Sequence, residues 1–431
     1  MWELISANKK KSLFLFILMG ICLVLLGYFI GNYFSPQNGG IIGLLIAIFI
    51  WFFMSLISFF SGDSIILALS KAKEVTPEIH QQLFNVVEEM KIAANLPAMP
   101  KVYIIPDFAP NAFATGRKPE NSAIVVTAGL LSLLDRDELQ GVIAHETSHI
   151  MNRDILFMTF AGVMLGSIII LSQLFLRSMW FSGGRGGRYR SKSSSQGGGQ
   201  LQLILIVVAI VLAILAPLLA QLLYFAISRK REYLADASSV RLTRYPEGLA
   251  SALEKISNTN LDLKSANKAT APLYIVNPLK RKGKRLSNIT STHPPITERI
   301  KILRSISQGA NYINYQNAYS YVKGKVSRII PHSEMHATND INLRKPSTEI
   351  QKPKERKQQI RDLGDLMRKV NKYLFLTCVC GLKIKIPPDF KKSVITCPRC
   401  GHENNIPMAE LAAVSEVIDA SLSEKDKKQH L

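Results

Sequence analysis

Apolar runs of membrane-crossing length constrain this chain more than any other feature. Leu13 to Phe34 is an apolar stretch without a charge, and Ile41 to Phe60 follows after the uncharged turn Ser35-Pro36-Gln37-Asn38-Gly39-Gly40. A helix of roughly 20 apolar residues spans the hydrocarbon of a bilayer, and each run meets that length. A secretory leader has a shorter apolar core and a small-residue cleavage site; none is evident. Two further runs, Ile155 to Leu176 and Leu201 to Ile227, the second with Pro217 inside it, are as long. Buried core helices are the alternative for this second pair, but the length fits a bilayer better. The expected fold is mainly α, with four transmembrane helices.

Charge sets the orientation. Lys9-Lys10-Lys11 precedes the first run, and Arg229-Lys230-Arg231 follows the fourth. Excess Lys and Arg mark the cytoplasmic side. Residues 1–61 then form an N-terminal hairpin with both ends in the cytoplasm, and the hairpin 155–227 leaves and returns to that side. The loop of the second hairpin, a low-complexity stretch opening with Gly183-Gly184-Arg185-Gly186-Gly187-Arg188, conflicts with this, since it also carries Arg190 and Lys192. A shallow hairpin that does not fully cross is the other way to satisfy the pattern. The formal net charge of +21 gathers largely after residue 279, as in Lys280-Arg281-Lys282-Gly283-Lys284-Arg285. Such an excess suits nucleic acid, anionic lipid or the cytoplasmic side of a membrane protein. In a bacterial cell the chain is expected in the inner (plasma) membrane as a multi-pass protein.

Between the hairpins the chain changes character. Thr76-Pro77-Glu78 predicts a helix start with Pro at the first helical position, followed by Ile79, Leu83, Val86, Val87 and Met90 at helical spacing. Lys101 to Ile105 and Ala123 to Thr127 predict strands, and Pro110 to Gly116 an extended edge segment followed by a turn. A small β-sheet beside helices is expected, an α+β domain.

The motif His145-Glu146-Thr147-Ser148-His149 comes next. Asp135 and Glu138 form a potential capping box, and Leu139, Val142, Ile143 and Ile150 give an apolar stripe, so the segment reads as a helix. Histidines four apart share one helix face and can offer two imidazole nitrogens to one ion. Zinc so held keeps a position for water and lowers that water's pKa, and Glu146 takes the proton. The pattern arises by chance in roughly one chain in a hundred of this length, so the flanks must decide. Just after the fourth run, Glu232 and Asp236 again lie four apart. The membrane hairpin returns them towards the histidines. Glu232 can then be the third ligand, and Asp236 can accept a hydrogen bond from a ligating imidazole and fix its tautomer. A solvated charged helix end is the bland reading of Glu232 and Asp236, and a helix that happens to carry two histidines that of His145 and His149.

These pieces together resemble the M48 family of membrane zinc metalloproteases, most closely its HtpX-type heat-shock branch. The matching segments are Asn111-Ala112-Phe113, Thr127 to Leu131, Asp137-Glu138-Leu139, His145 to Ile150, Asn152-Arg153-Asp154, Arg231 to Asp236, Ala252 to Ile256, Ser291 to Pro295 and Glu298-Arg299-Ile300. The likeness covers roughly residues 1–305. It implies His145, His149 and Glu232 as zinc ligands, Glu146 as general base and Asp236 as the residue behind a ligand. It implies that Asn111, Ala112 and Phe113 form the edge that pairs with a substrate backbone. It also implies His293 near the site, as a stabiliser of the oxyanion; a structural histidine before a Pro-Pro turn is the alternative. The resemblance also implies that residues 62–322 form a cytoplasmic α+β protease domain of the zincin, gluzincin-like kind, enclosing the second hairpin.

The likeness stops there. Residues 323–372 are basic, proline-containing and poor in large apolar residues, and are expected to be a disordered linker. Residues 373–405 hold Cys378-Val379-Cys380-Gly381 and Cys397-Pro398-Arg399-Cys400-Gly401, and 406–431 form a tail. Four thiolates in two close pairs suit one structural zinc, and a module this small needs metal to fold. The Cys-x-Cys half departs from the usual two-residue spacing, and a redox pair is the alternative. No aromatic platform accompanies the ribbon, which argues against a nucleic-acid partner and for protein binding or substrate recruitment.

The sequence thus predicts an integral membrane zinc endopeptidase, with one catalytic and one structural zinc. Its partners would be the lipid bilayer and misfolded or unfolded membrane-protein substrates. A CaaX-type prenyl-protein protease is the rival of the same class, disfavoured by having only four spans. A non-enzymatic scaffold recruiting partners through the ribbon is the rival of another class, disfavoured by an intact Glu146.

Overall fold

The computed structural model describes residues 2–35, 37–155, 229–266, 270–278, 293–307, 309–324, 328–330, 335, 341–347 and 356–408, with a few positions between 168 and 214. Most of the third and fourth apolar runs, the glycine-rich loop, the basic run at 280–285 and the tail after 408 lie outside the described residues. Contacts divide the chain into two units, 1–352 and 353–431.

The first unit opens with α1 (Trp2–Phe34) and α2 (Gly39–Leu69), the two helices among the described residues long and apolar enough to cross a membrane. Small residues let their backbones touch. A Cβ on Gly31 would lie 1.9 Å from the Gly39 carbonyl oxygen, and one on Gly43 2.2 Å from that of Gly27. Glycines four apart on both helices are the usual means of such close approach in lipid. The outer faces are apolar and bare, with Phe14 63% exposed, Phe49 63% and Phe60 65%. Water would solvate such a surface poorly, whereas hydrocarbon does so without cost.

The sheet follows. Its strands are β1 (Lys73–Glu74), β2 (Lys101–Ile105), β3 (Ala112–Lys118) and β4 (Asn121–Thr127), in the order β1-β2-β4-β3. β2 and β4 run parallel, with Lys101 opposite Ala123 and Ile105 opposite Thr127. Their continuous apolar sequences suit strands covered on both faces. β3 pairs antiparallel with β4 and forms the edge. One apolar cluster joins Met19 and Leu23 of α1 and Ile66 of α2 to Ile105, Phe113, Val125 and Tyr274. The sheet is therefore seated directly on the N-terminal hairpin.

Around it lie α3 (Gln81–Ala93), α4 (Ala128–Leu133) and α5 (Arg136–Met151), then helical residues 229–243, here α6. α7 (Pro246–Asn258), α8 (Ile296–Arg304) and α9 (Tyr312–Lys323) complete this unit. The helix expected to start at Pro77 starts at Gln81. Residues 77–79 form a turn instead, closed by the Ile79 amide on the Thr76 carbonyl, and the His80 ring accepts from the Leu83 amide at 3.2 Å as the N-cap. The edge strand also runs past its expected end. Gly116, at φ 136°, makes a bulge rather than a turn, and pairing continues to Lys118.

The stretch expected to be a disordered linker differs as well. Arg344 donates to Asp137 at 3.0 Å and to Gln140 at 2.9 Å, and the Ala310 amide donates to the Ile341 carbonyl at 2.8 Å. Residues 341–347 are thus pinned to α5 by the Arg344 side chain and the Ser347 amide, which donates to Asp137 at 2.8 Å, rather than by apolar side chains, which is why composition hid the contact. In the second unit, α10 (Arg356–Val370) buries Leu363 and Val370, seven residues apart on one helix face. It is followed by the hairpins β5 (Leu374–Thr377) with β6 (Lys383–Ile386) and β7 (Val394–Thr396) with β8 (Glu403–Asn405).

Candidate metal centre

α5 is fixed at both ends. The Asp135 carboxylate accepts from the Glu138 amide and the Glu138 carboxylate from the Asp135 amide, both at 2.9 Å, which completes the capping box. Lys255 and Ser251 of α7 donate to the same Glu138 carboxylate at 2.7 and 2.5 Å. α7 can lie this close because α5 carries Gly141, where a Cβ would meet the Leu249 nitrogen at 2.6 Å. At the other end Arg153 turns left-handed at φ 58°, and the chain doubles back to place Asp154 beneath His149.

One turn of this helix presents His145 and His149 with their Nε2 atoms 3.3 Å apart. Glu232 reaches in from α6, its Oε2 3.6 Å from His145 Nε2 and its Oε1 3.5 Å from His149 Nε2. Zinc–nitrogen and zinc–oxygen bonds of about 2.0–2.1 Å at tetrahedral angles put neighbouring donors about 3.3–3.4 Å apart. The spacing of the three donors therefore fits one zinc ion. Glu232 Oε2 is buried with neighbours only at ion-pair distances, 3.4 Å to Arg299 Nη1 and 3.5 Å to His293 Nε2, and keeps acceptor capacity that a cation would satisfy. Each imidazole is aimed by a carboxylate on its far nitrogen. Asp236 lies 3.0 Å from His145 Nδ1, and Asp154 lies 3.3 Å from His149 Nδ1.

The electrostatics follow from burial and pairing. Burial alone would raise the Glu232 carboxyl, but the charges and hydrogen bonds of the surrounding histidines hold it well below its ordinary value. Burial likewise opposes ionisation of Asp236, and Arg299 with His145 outweighs it. Glu146 differs. Burial pushes its carboxyl up, against the pull of His145 and His149, and its oxygen accepts from the Ala114 amide of the edge strand. A carboxylate whose proton affinity is raised beside two metal-ligating groups is well placed to take up a proton and release it. His293 is buried with Nε2 3.5 Å from Glu232 Oε2, and burial pushes its pKa down to about 4, so it is neutral near pH 7.

The edge segment divides by role. Asn111 binds the Val276 carbonyl at 2.8 Å through its side-chain amide, and Phe113 is buried edge-on against Tyr274 at 4.9 Å. Those two side chains serve the fold. The backbone groups of Ala112 and Ala114 face outward: the Ala112 carbonyl accepts from the Ile275 amide at 2.9 Å, and the Ala114 amide meets Glu146. Two residues at the site were given no role from sequence. Asp154 was visible only as part of a matching segment, since no spacing rule says that a chain turns back after a helix. Arg299 stood in another such segment, and nothing local distinguished it from a solvated helix arginine.

The four cysteines also meet. Cys378 and Cys400 Sγ lie 3.6 Å apart, Cys380 and Cys397 Sγ 3.7 Å. Zinc–sulfur bonds of about 2.3 Å require about 3.8 Å between thiolates. Each pair sits in a tight turn ending in a left-handed glycine, Gly381 at φ 78° and Gly401 at φ 73°. The first turn is one residue shorter and closes through the Gly381 amide on the Cys378 carbonyl at 2.8 Å. The Cys380 backbone amide lowers the pKa of the Cys378 thiol, whereas, against the His402 amide, the neighbouring thiols raise that of Cys400, so the four groups share their protons and a cation would be needed to hold all of them as thiolates.

Comparison with known proteins agrees with this chemistry. The profile described as Peptidase family M48 matches residues 77–307. A "Protease HtpX homolog" of Dictyoglomus thermophilum is 49% identical over 307 residues, 71% of this chain and 95% of that protein. Its counterpart in Caldanaerobacter subterraneus subsp. tengcongensis is 44% identical over 308 residues, 71% and 98% of the two chains. The crystal structure of S. mikatae Ste24p aligns over 70% of this chain and 67% of that one, at 22% identity and a TM-score of 0.37, too slight a likeness to carry argument. A zinc-compatible cluster on an H-E-x-x-H helix, a profile match across it and near-full-length relatives converge on one conclusion: the chain belongs to peptidase family M48 and is a membrane zinc metalloprotease.

Proposed function

We propose that this protein is a multi-pass membrane endopeptidase with a cytoplasmic active site, and that it cleaves misfolded or damaged membrane proteins close to the bilayer. The observation that carries the reading is the spacing of His145, His149 and Glu232 at the edge lengths of a zinc tetrahedron. Zinc bound there would supply Lewis acidity for hydrolysis of a peptide bond at neutral pH. The rest is work for the chain's own groups. Glu146 accepts the proton from the attacking water and passes it to the leaving amine. Asp236 and Asp154 hold the imidazoles in one tautomer. His293, neutral, offers a ring N–H to the developing oxyanion. The β3 edge beyond Ala112, whose own carbonyl is held by the Ile275 amide, takes the substrate as an added strand. The four cysteines hold a second, structural zinc.

Location follows from the same elements. Four spans are read, α1, α2 and the apolar runs 155–176 and 201–227. His149 precedes Ile155 by six residues and Glu232 follows Ile227 by five. Even fully extended, six residues span only about 20 Å, so both ligands lie within roughly 20 Å of a membrane entry point. The edge strand supports this reading from the other side: Arg117 of β3 lies over the rings of Phe59 and Phe60, near the end of the exposed apolar face of α2, at 5.2 and 5.8 Å.

The test is a set of single-span reporters with one cleavable sequence held at increasing, stiffly spaced distances from the bilayer. Wild type should cleave the nearest best, and Glu146→Ala should cleave none while keeping its zinc. Equal cleavage at every distance would remove the membrane-proximal site, and full activity in Glu146→Ala would remove the mechanism.

A further inference from the structure

Arg299 is the largest fully buried side chain among the described residues, with 0% of its surface exposed. An isolated buried guanidinium is costly, so its surroundings must hold it, and they do so at several points. Nε donates to Asp236 Oδ2 at 2.8 Å and Nη2 to Asp236 Oδ1 at 2.6 Å, a two-pronged grip on one carboxylate. Nη1 donates to the Ile275 carbonyl at 3.3 Å and lies 3.4 Å from Glu232 Oε2.

Those contacts run in two directions. Asp236 is the carboxylate on the far nitrogen of His145, so the grip on Asp236 sets the ring that offers Nε2 to the metal. Ile275 leads elsewhere. Its carbonyl accepts from Arg299, while its own amide donates to the Ala112 carbonyl on the outward edge of β3 at 2.9 Å. A single residue, through the peptide groups on its two sides, thus links the guanidinium to the strand that faces the site. Lysine could supply the charge but not the planar fork, which satisfies both Asp236 oxygens while a third nitrogen reaches a backbone carbonyl.

We infer that Arg299 is a positioning residue that fixes two parts of the active site at once: the metal-binding ring of His145 through Asp236, and the register of the β3 edge through Ile275. The second arm rests on the reading of Ala112 to Ala114 as the substrate-pairing edge; the first does not. Each arm has its own readout, so failure of one is separable from failure of the other.

The experiment uses the full chain in detergent, with Cys378, Cys380, Cys397 and Cys400 changed to Ser throughout so that one metal site is read. Arg299→Met, Arg299→Lys and, as a control, Arg304→Met are compared with the parent. Arg304 makes an exposed ion-pair cluster with Glu247 and Glu254. Zinc affinity is measured against a competing chelator, the visible spectrum is recorded with cobalt in place of zinc, and KM and kcat on a short unstructured peptide are measured at saturating zinc. Arg299→Met should lose zinc affinity by roughly 10- to 100-fold and shift the cobalt bands, as for loss of other groups that orient a ligand. Arg299→Lys, with the charge restored, should recover most of the affinity but keep a KM raised several-fold at saturating zinc. Arg304→Met should change neither. Zinc affinity and cobalt bands of Arg299→Met equal to the parent's would overturn the metal arm, and a parent-like KM in Arg299→Lys would overturn the strand arm. If Arg299→Met does not accumulate folded, Arg299→Lys decides both, because an unchanged cobalt spectrum in it would show that the fork does not set the ring.

Discussion

His145, His149 and Glu232 come from two helices far apart in sequence, sit almost wholly buried, and are aimed by Asp236, Asp154 and the surrounding core. Cys378, Cys380, Cys397 and Cys400 come from two hairpins whose buried core, among the described residues, is only Ile384, Ile386, Ile406, Cys378 and Cys397, with partly buried side chains such as Leu376 and Phe390 packed against it. In the first cluster the fold makes the site, and a metal would be added for chemistry. In the second, as proposed above, a metal would take the place of a core that so short a unit supplies only in part. The same ion is therefore expected to matter in opposite ways: to activity in one unit, to folding in the other.

The largest effect should come from removing metal altogether. Structural zinc sites of this type contribute roughly 10–16 kcal/mol of linked binding and folding energy. Chelation should abolish hydrogen-exchange protection in β5 to β8 while leaving that of α5 and the sheet in place. Protection that persists in the cysteine hairpins without metal would break the comparison.

Core substitutions sharpen it. Leu253, fully buried on α7, packs in the catalytic unit, and Ile386, fully buried, packs in the cysteine unit. Leu253→Ala should lower the stability of its unit by about 2–5 kcal/mol whether or not zinc is present. Ile386→Ala should cost about 2–3 kcal/mol, but should register as a loss of roughly 30- to 150-fold in zinc affinity, because that unit folds only as it binds. Thermal unfolding with and without chelator, together with zinc titration, checks both.

Smaller effects remain on the catalytic helix. Asp135→Ala removes one half of the capping box and should cost about 1 kcal/mol of stability, with zinc binding unchanged. A larger loss, or a loss of metal, would mean that the helix end is coupled to the site. The smallest effect is expected from ending the chain at Lys352, the boundary between the two units. Cleavage of a short peptide should change by less than about twofold, since each unit has its own core. Residues 341–347 must be kept, because Arg344 binds Asp137 on α5.

What sequence alone determined was local. Helical spacing placed His145 and His149 on one face, the capping-box residues marked where α5 begins, apolar length identified α1 and α2, and paired cysteines announced the second cluster. Each depends on residues close together in the chain, where backbone geometry leaves few choices. Tertiary structure decided the rest. The turn at Arg153 that places Asp154 under His149, the burial of Arg299 between Asp236 and the Ile275 carbonyl, and the docking of Arg344 on α5 all join residues that no local pattern relates. A charged side chain reads the same in sequence whether water or a buried carboxylate surrounds it. Only the fold settles which, because only the fold fixes what is excluded from its surface.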